Sequence, residues 1–204
     1  LKAIGGVISS SLLAAHRMAV ERFRHNQLNL VREVSAQIAN VLEIDELARS
    51  VTDLIQKTFN YYFVAFFTFK PGAKSLRFRA SASAPRPGRR KNIIVDAELG
   101  QGMIGQAAET GERVLSDDVK QDSRYRFYNL LPETRSEVSL PIKIEDRVLG
   151  VLDVQSNQPA AFHPNDLLVL EALVDSIARA VEGARLYGDL RRRDGGGLAR
   201  GVRA

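Results

Sequence analysis

Cysteine is absent from the 204 residues, so the chain has no disulfide framework, no thiolate nucleophile and no cysteine-ligated metal. Histidine is nearly as scarce, at three residues. His16 and His25 fall in an N-terminal helical stretch. His163 stands beside Pro164 where a helix starts, so a cap-region role is expected of it ahead of metal ligation or acid–base work. No stretch reaches the roughly 18 consecutive apolar residues of a membrane span. The opening residues 1–20 are moderately apolar but are interrupted by Lys2, His16 and Arg17. No direct membrane contact is expected, and the expected location is the cytoplasm. The chain opens on Leu1 rather than methionine, as expected of a piece of a longer protein, and a signal peptide is neither shown nor needed.

What is present is a soluble globular composition, 45% hydrophobic and 26% charged, in a length that buries one core plus helical extensions but hardly two domains. The formal charge of +5 is unevenly placed. Arg191, Arg192, Arg193, Arg200 and Arg203 against Asp194 make the tail basic, and Arg86, Arg89, Arg90 and Lys91 make a second basic cluster in one loop. The remainder is mildly acidic. A general nucleic-acid-binding face is therefore not expected, and the two clusters read as a solvated loop and a frayed end.

Leu28, Val31, Ser35, Ile38 and Leu42 alternate spacings of three and four, a helical stripe that needs a partner. Leu12, Ala15, Ala19 and Arg22 extend it more weakly upstream, giving one long helix from about Ser11, or two with a break near Asn26. Residues 43 to 57 form a second helix whose Ile44, Leu47, Ala48, Val51, Leu54 and Ile55 suit packing on a sheet. The aromatic run after Asn60 is a buried strand ending at Pro71-Gly72. Its hairpin partner follows, with Leu76, Phe78 and Ala80 alternating against Arg77 and Arg79.

Gly100 to Gly111 reads as a glycine-bounded helix packed through Met103, Ile104, Ala107 and Ala108. A short strand, Arg113 to Ser116, precedes an irregular polar and aromatic region from Asp117 to Glu133, the kind of long connection that often forms a site or lid. Strands over Glu137–Ile144 and Arg147–Gln155 meet at a tight turn around Glu145-Asp146. The second is expected to place Val148, Gly150, Leu152 and Val154 on one side and Leu149, Val151 and a lone Asp153 on the other, with Gly150 admitting close backbone approach. The last helix starts at His163-Pro164-Asn165-Asp166 and carries Leu167, Leu170, Val174, Ile177, Val181 and Ala184 at alternating three and four. This stripe runs on toward Tyr187, past where a globular helix usually stops, and the arginine- and glycine-rich end is not expected to pack. Hairpins at both ends of the strand set imply an antiparallel sheet. The outer helices would cover one face, leaving the other to the mid-chain helix and the long loop.

From about Glu43 to Ala184 the sequence resembles a GAF domain. The resemblance rests on Leu99-Gly100-Gln101-Gly102-Met103-Ile104-Gly105-Gln106-Ala107, Thr110-Gly111, Asp117-Asp118-Val119, Asp122-Ser123-Arg124-Tyr125, Ser139-Leu140-Pro141-Ile142, Gly150-Val151-Leu152-Asp153-Val154, and Phe162 with Asp166 before Leu167. It implies an α+β layered fold around an antiparallel sheet of about six strands, with long N- and C-terminal flanking helices. It also implies a small-molecule pocket on the face away from those helices and homodimerisation through them. The ligand varies across such domains and some bind nothing known. Bilin attachment and thiol-based methionine-sulfoxide reduction, known in relatives, need a sulfur that this chain lacks. The Asn-Lys-x-x-Phe-Asp-Glu signature of cyclic-nucleotide binders is also missing, so no cofactor is implied.

Several constellations resemble chemical sites. Gly100, Gly102 and Gly105 have dinucleotide-fingerprint spacing but lack the preceding parallel strand, and the resemblance gives them a structural role at the start of the pocket-side helix. An anion at that helix N-terminus stays open. Asp117, Asp118 and Asp122 lack EF-hand spacing and are expected to cap turns. What remains is an aromatic cluster: Phe67, Phe69 and Phe78 from the hairpin, with Tyr125, Phe127 and Tyr128 on the loop, and Arg124, Asn129 and Ser139 as polar ends. These residues either fill the core or line a pocket for an apolar or aromatic ligand. The expected organisation is a dimerisation helix over 1–42, the sensor domain over 43–184 and a helix end with basic tail over 185–204. The expected function is a non-catalytic regulatory module acting on an output domain of a larger signalling protein. A ligandless dimerisation spacer and, less favoured, a small-molecule enzyme are the alternatives.

Overall fold

A computed structural model describes residues 29, 31–70, 72, 74–84 and 96–198, with backbone alone from 192. The helix expected upstream of residue 29, the basic loop from Arg86 to Lys91 and residues 199–204 lie outside the described residues.

The described chain begins with a short helix, α1 (31–38), and turns at 39–43 into α2 (Ile44–Phe59). Asp45 and Glu46 in the first turn of α2 and Lys57 in the last complement the helix dipole. Asn60, left-handed at φ 53°, ends it. Six strands follow: β1 (Phe63–Phe69), β2 (Ser75–Ser83), β3 (Ala97–Glu98), β4 (Val114–Ser116), β5 (Ser136–Ile144) and β6 (Arg147–Ser156). Helix α3 (Gly102–Thr110) lies between β3 and β4, and α4 (Pro164–Leu198) closes the chain. All sheet pairings are antiparallel, in the order β3-β2-β1-β6-β5-β4. This is the α+β layered architecture that the sequence leads one to expect.

The period of two along each strand divides the interior. Val64 and Phe66 of β1, Val138, Leu140 and Ile142 of β5, and Leu152 and Val154 of β6 pack against α1, α2 and α4. Phe63, Ala65 and Phe67 of β1 and Val151 of β6 face the other way, against Met103, Ile104, Ala107 and Ala108 of α3. Two register shifts break the strict alternation, between Phe66 and Phe67 on β1 and between Ile142 and Lys143 on β5. Each leaves one residue of the neighbouring strand unopposed. Ala80 therefore joins the terminal-helix side rather than that of Leu76 and Phe78, and so does Leu149, expected beside Val151. Val148 is correspondingly turned toward Gly111 at the end of α3.

Helix α4 corrects a second expectation. Its stripe of Leu170, Val174, Ile177 and Val181 is buried in the protein's own core, with Ile177 at 0% and Val181 at 4% exposure, so these residues are not free for a second copy. In α1, Val34 and Ile38 are buried in the same cluster. Among the described residues the exposed large apolar side chains are Leu42, at the end of α1's stripe, Phe127 and Leu130 on the loop before β5, Leu168 near the start of α4, and Leu186, Tyr187 and Leu190 on the extension of α4. That extension is helical through Gly195–Gly197 to Leu198. Arg191 reaches Glu43 at 3.2 Å, laying the extension beside the start of α2. Among the described residues no helix is long and apolar enough to cross a membrane.

Candidate functional site

The sheet face opposite α2 and α4 carries the candidate site. Strands β5 and β6 pair with Glu137 opposite Gln155 and Ser139 opposite Asp153, so four polar side chains share one patch of an otherwise apolar sheet. All four are buried. Asp153 accepts hydrogen bonds from Ser139 Oγ and from Gln155 Nε2, each at 2.8 Å. Thr134 Oγ1 donates to Gln155 Oε1 at 2.7 Å, and the Tyr125 hydroxyl lies near Thr134. One chain of hydrogen bonds thus runs from the 117–135 loop to the centre of the sheet.

Glu137 lies in contact with Asp153, hydrogen-bonded to it. Burial disfavours charge on both groups; Asp153 further raises the cost of ionising Glu137, whereas the hydrogen bond from Glu137 eases ionisation of Asp153. The Glu137 carboxyl is pushed well above the usual carboxylate range, first by burial and then by Asp153. Asp153 is also pushed up by burial, to about 6, with its bonds from Gln155 and Ser139 opposing the rise. Asp153 has the donors, so it holds the negative charge, and Glu137 holds the proton and donates it to Asp153. Of the two, Glu137 is the one held toward its neutral form.

Above this floor is a cavity of about 230 Å³ walled by Asp96, Ala97, Glu98, Gln101, Gly102, Met103, Ile104, Arg126, Tyr128 and Glu137. A second void of about 20 Å³ lies against Phe63, Phe67, Leu131, Asp153 and Gln155, and shares Ile104 and Tyr128 with the first. The larger is below the roughly 300–1,000 Å³ of a drug-sized site and suits a small molecule. The smaller has room for about one water. Glycine builds the rim. A Cβ at Gly105 would overlap the Glu98 carbonyl oxygen. The Gly100 N–H donates to Gly105 O at 2.9 Å, so the glycine-spaced segment is a turn that presses α3 onto β3. Arg126 reaches from the loop to Gln101 at the start of α3.

The residues singled out in the sequence divide. Phe67 lines the inner void and meets Phe78 edge-on at 5.7 Å between ring centroids, while Phe69 packs at the margin of the same cluster. Tyr128 separates the two spaces, and burial, with Asp153 and Glu137 nearby, raises its hydroxyl pKa. Tyr125 is pushed up to about 12, chiefly by burial. Ser139 is a floor residue acting through Asp153. Phe127, 63% exposed, points away from the interior, and Asn129 is exposed too. Arg124 is turned onto Asp122, at 2.6 Å, and onto the Leu115 carbonyl. That contact holds Asp122 far below the usual carboxylate range.

Asp118 and Asp122 accept from the backbone N–H of Lys120 and Arg124, as turn caps do. His163 is a cap residue, its N–H bonded to Asp166 one turn on. Sequence reasoning missed Glu137, Gln155 and Thr134. The available signal was Asp153, a carboxylate in an apolar strand, which required a partner. Among the described residues no group of three or more potential ligands could hold a metal ion.

Residues 41–182 match the family model described as GAF domain. The chain is 24% identical over 190 residues to the circadian input-output histidine kinase CikA of Synechococcus elongatus, covering 82% of this chain and 25% of the kinase. It therefore spans about a quarter of that curated relative. Among solved structures, the GAF domain of a phosphoenolpyruvate-protein phosphotransferase from Coxiella burnetii superposes with TM-score 0.70 at 16% identity, covering 81% of this chain and 98% of that one. The free methionine-R-sulfoxide reductase of Neisseria meningitidis, solved in complex with its substrate, superposes with TM-score 0.68 at 20% identity over 78% of this chain and 90% of that one. These structural likenesses establish the fold.

Proposed function

Because the chain belongs to the GAF family of sensory and regulatory domains, we propose that it is a cytoplasmic, non-catalytic sensor module that couples a small-molecule pocket to flanking dimerisation helices, and through them to an output domain of a longer signalling protein. The observation that carries this reading is the cavity between α3, the 117–135 loop and the polar patch of β5 and β6, on the face away from the terminal helices. A ligand there touches the loop through Tyr128 and the sheet through Glu137. On the opposite side, the same strands β5 and β6 carry the residues that pack on α4. A shift of those strands is thereby felt at the helix. The match to part of a histidine kinase supports a signalling context.

The ligand contacts are assigned to Tyr128 and Glu137, with Phe67, Phe78, Tyr125 and Ser139 supporting them from behind and Phe69 bordering the cluster. Arg124 holds the loop. The sensor is assigned to 43–184, with 1–42 as the dimerisation segment before it and 185–204 as the end of α4 and the basic tail after it. The homodimer seam is placed on Leu186, Tyr187 and Leu190, since the buried stripe of α4 is occupied by its own sheet. Native mass spectrometry of gently purified protein tests the pocket. A small adduct that disappears on unfolding and refolding is expected. A bare mass in every preparation, together with a melting temperature that no metabolite mixture shifts, favours the ligandless spacer instead.

A further inference from the structure

The buried carboxyl pair is not explained by folding alone. Two acids placed side by side in an apolar interior destabilise a fold unless a cation or enough donors accompany them. Asp153 has its donors, but Glu137, equally buried, has Asp153 as its partner and lies in the wall of the larger cavity. Among the described residues no lysine, arginine or histidine makes an ion pair with either carboxyl. The other charged groups around the cavity are Asp96 and Glu98 on the β3 side and Arg126 on the loop, with Asp122 acting on Glu137 from further along the loop. Arg126 already reaches Gln101. The tyrosines Tyr125 and Tyr128 stay neutral. The cavity thus carries Glu137 on its floor and Glu98 at its β3 side, where Asp96 is paired with Lys70 at 2.7 Å, and is apolar at Ala97, Met103, Ile104 and the Tyr128 ring.

We propose that this cavity receives a small organic monocation, an ammonium group on an apolar or aromatic body, with its N–H donors on Glu137 and its body against the Tyr128–Ile104 wall. The inference rests on the pocket reading and adds the ligand's charge. An inorganic cation suits the place less well, since it needs some six oxygen ligands and the neighbouring walls are hydrocarbon. When the ammonium arrives, the O–H bond of Glu137 breaks, its proton leaves for solvent, and two carboxylates face one cation with its hydrogen-bond donors. One proton is released for each cation taken up, so binding strengthens as pH rises through the range in which the free pair holds its proton.

Isothermal titration of the full chain with 2-phenylethylamine, and with the uncharged 2-phenylethanol and the anionic phenylacetate as shape-matched controls, tests this. The amine is expected to bind at least about tenfold more tightly than either control, with about one proton released when heats are compared in two buffers of different ionisation enthalpy. Glu137→Gln is expected to remove that preference and the proton release, so that the amine binds the variant no more tightly than the alcohol does. The wild-type comparison stands even if the variant folds poorly. Alcohol binding equal to the amine overturns the charge assignment but leaves a pocket. Tighter phenylacetate binding overturns it in favour of an anion site at Arg126 and α3. Amine binding abolished by excess potassium overturns it in favour of an inorganic-ion site. Absence of binding by all three overturns it as well, and native mass spectrometry then decides separately whether any ligand is held.

Discussion

Glu137 and Asp153 bind protons more tightly in the folded chain than in the unfolded one, where carboxyls titrate near pH 4. Between about pH 4 and the folded values, with Asp153 at about 6 and Glu137 above the usual range, the unfolded chain has lost protons that the folded chain keeps. Stability from the pair is therefore complete at the acidic end and declines as pH rises through that window. Asp96, Asp118, Asp122 and Glu182, all shifted downward, act in the opposite sense and at lower pH. Urea midpoints measured from pH 4.5 to 8 are expected to fall for the wild type and to be flatter for Glu137→Gln, with the variant at least as stable at the alkaline end. Gly150→Ala tests a different constraint: its Cβ would overlap the Phe67 carbonyl oxygen across the β1–β6 ladder. A loss of about 1–3 kcal/mol in urea unfolding is expected. The role of Gly150 was legible, because a glycine inside an apolar strand signals close approach. The role of Glu137 was not. It sits where a polar loop becomes a strand, an ordinary place for a glutamate, and only the pairing of β5 with β6 sets it beside Asp153.

Among the elements, the helices and strands follow from periodicity to within a few residues, because each buries one face and the polar positions mark the other. Periodicity does not say what covers that face. The stripe of α4 from Leu167 to Ala184 reads equally as a seam between two copies or as a lid on the chain's own sheet, and the sheet takes it. Ile177→Asp is accordingly expected to cost about 3–5 kcal/mol, an unpaired charge in a packed core, visible as a lowered thermal midpoint. Leu186→Asp with Leu190→Asp, at positions 51% and 59% exposed, is expected to leave that midpoint nearly unchanged and to halve the mass in sedimentation equilibrium. Equal melting losses in the two variants would argue that the extension of α4 is part of the core. The faces of Ala80 and Leu149 were misjudged for a related reason: a bulge changes side-chain parity without altering composition. The 117–135 loop was legible as irregular, but not its anchoring. Asp122→Ala releases Arg124 from its best partner, and faster amide exchange across 117–133 is the expected result, with the exchange of α4 unaffected.

At the scale of the molecule, the layer order followed from the sequence of elements, whereas the assignment of polar groups to the cavity depended on strand register and was accessible only in three dimensions. The sheet consists of two locally built halves. β1, β2 and β3 come from one stretch of chain and β4, β5 and β6 from another, and they are joined where Phe63 lies opposite Gln155 and Thr68 opposite Gly150. The central seam of the sheet therefore brings together residues some ninety positions apart. Contacts of such separation form late, because the loop must be closed before any of them contributes. During synthesis, the aromatic strand β1 emerges with β2 as its only early partner and waits, with one edge open, for β6. The interval before β6 arrives is when the nascent chain is most exposed to pairing with a neighbour, and an excess of chaperone-bound or aggregated material is expected to concentrate in chains released before Ser156.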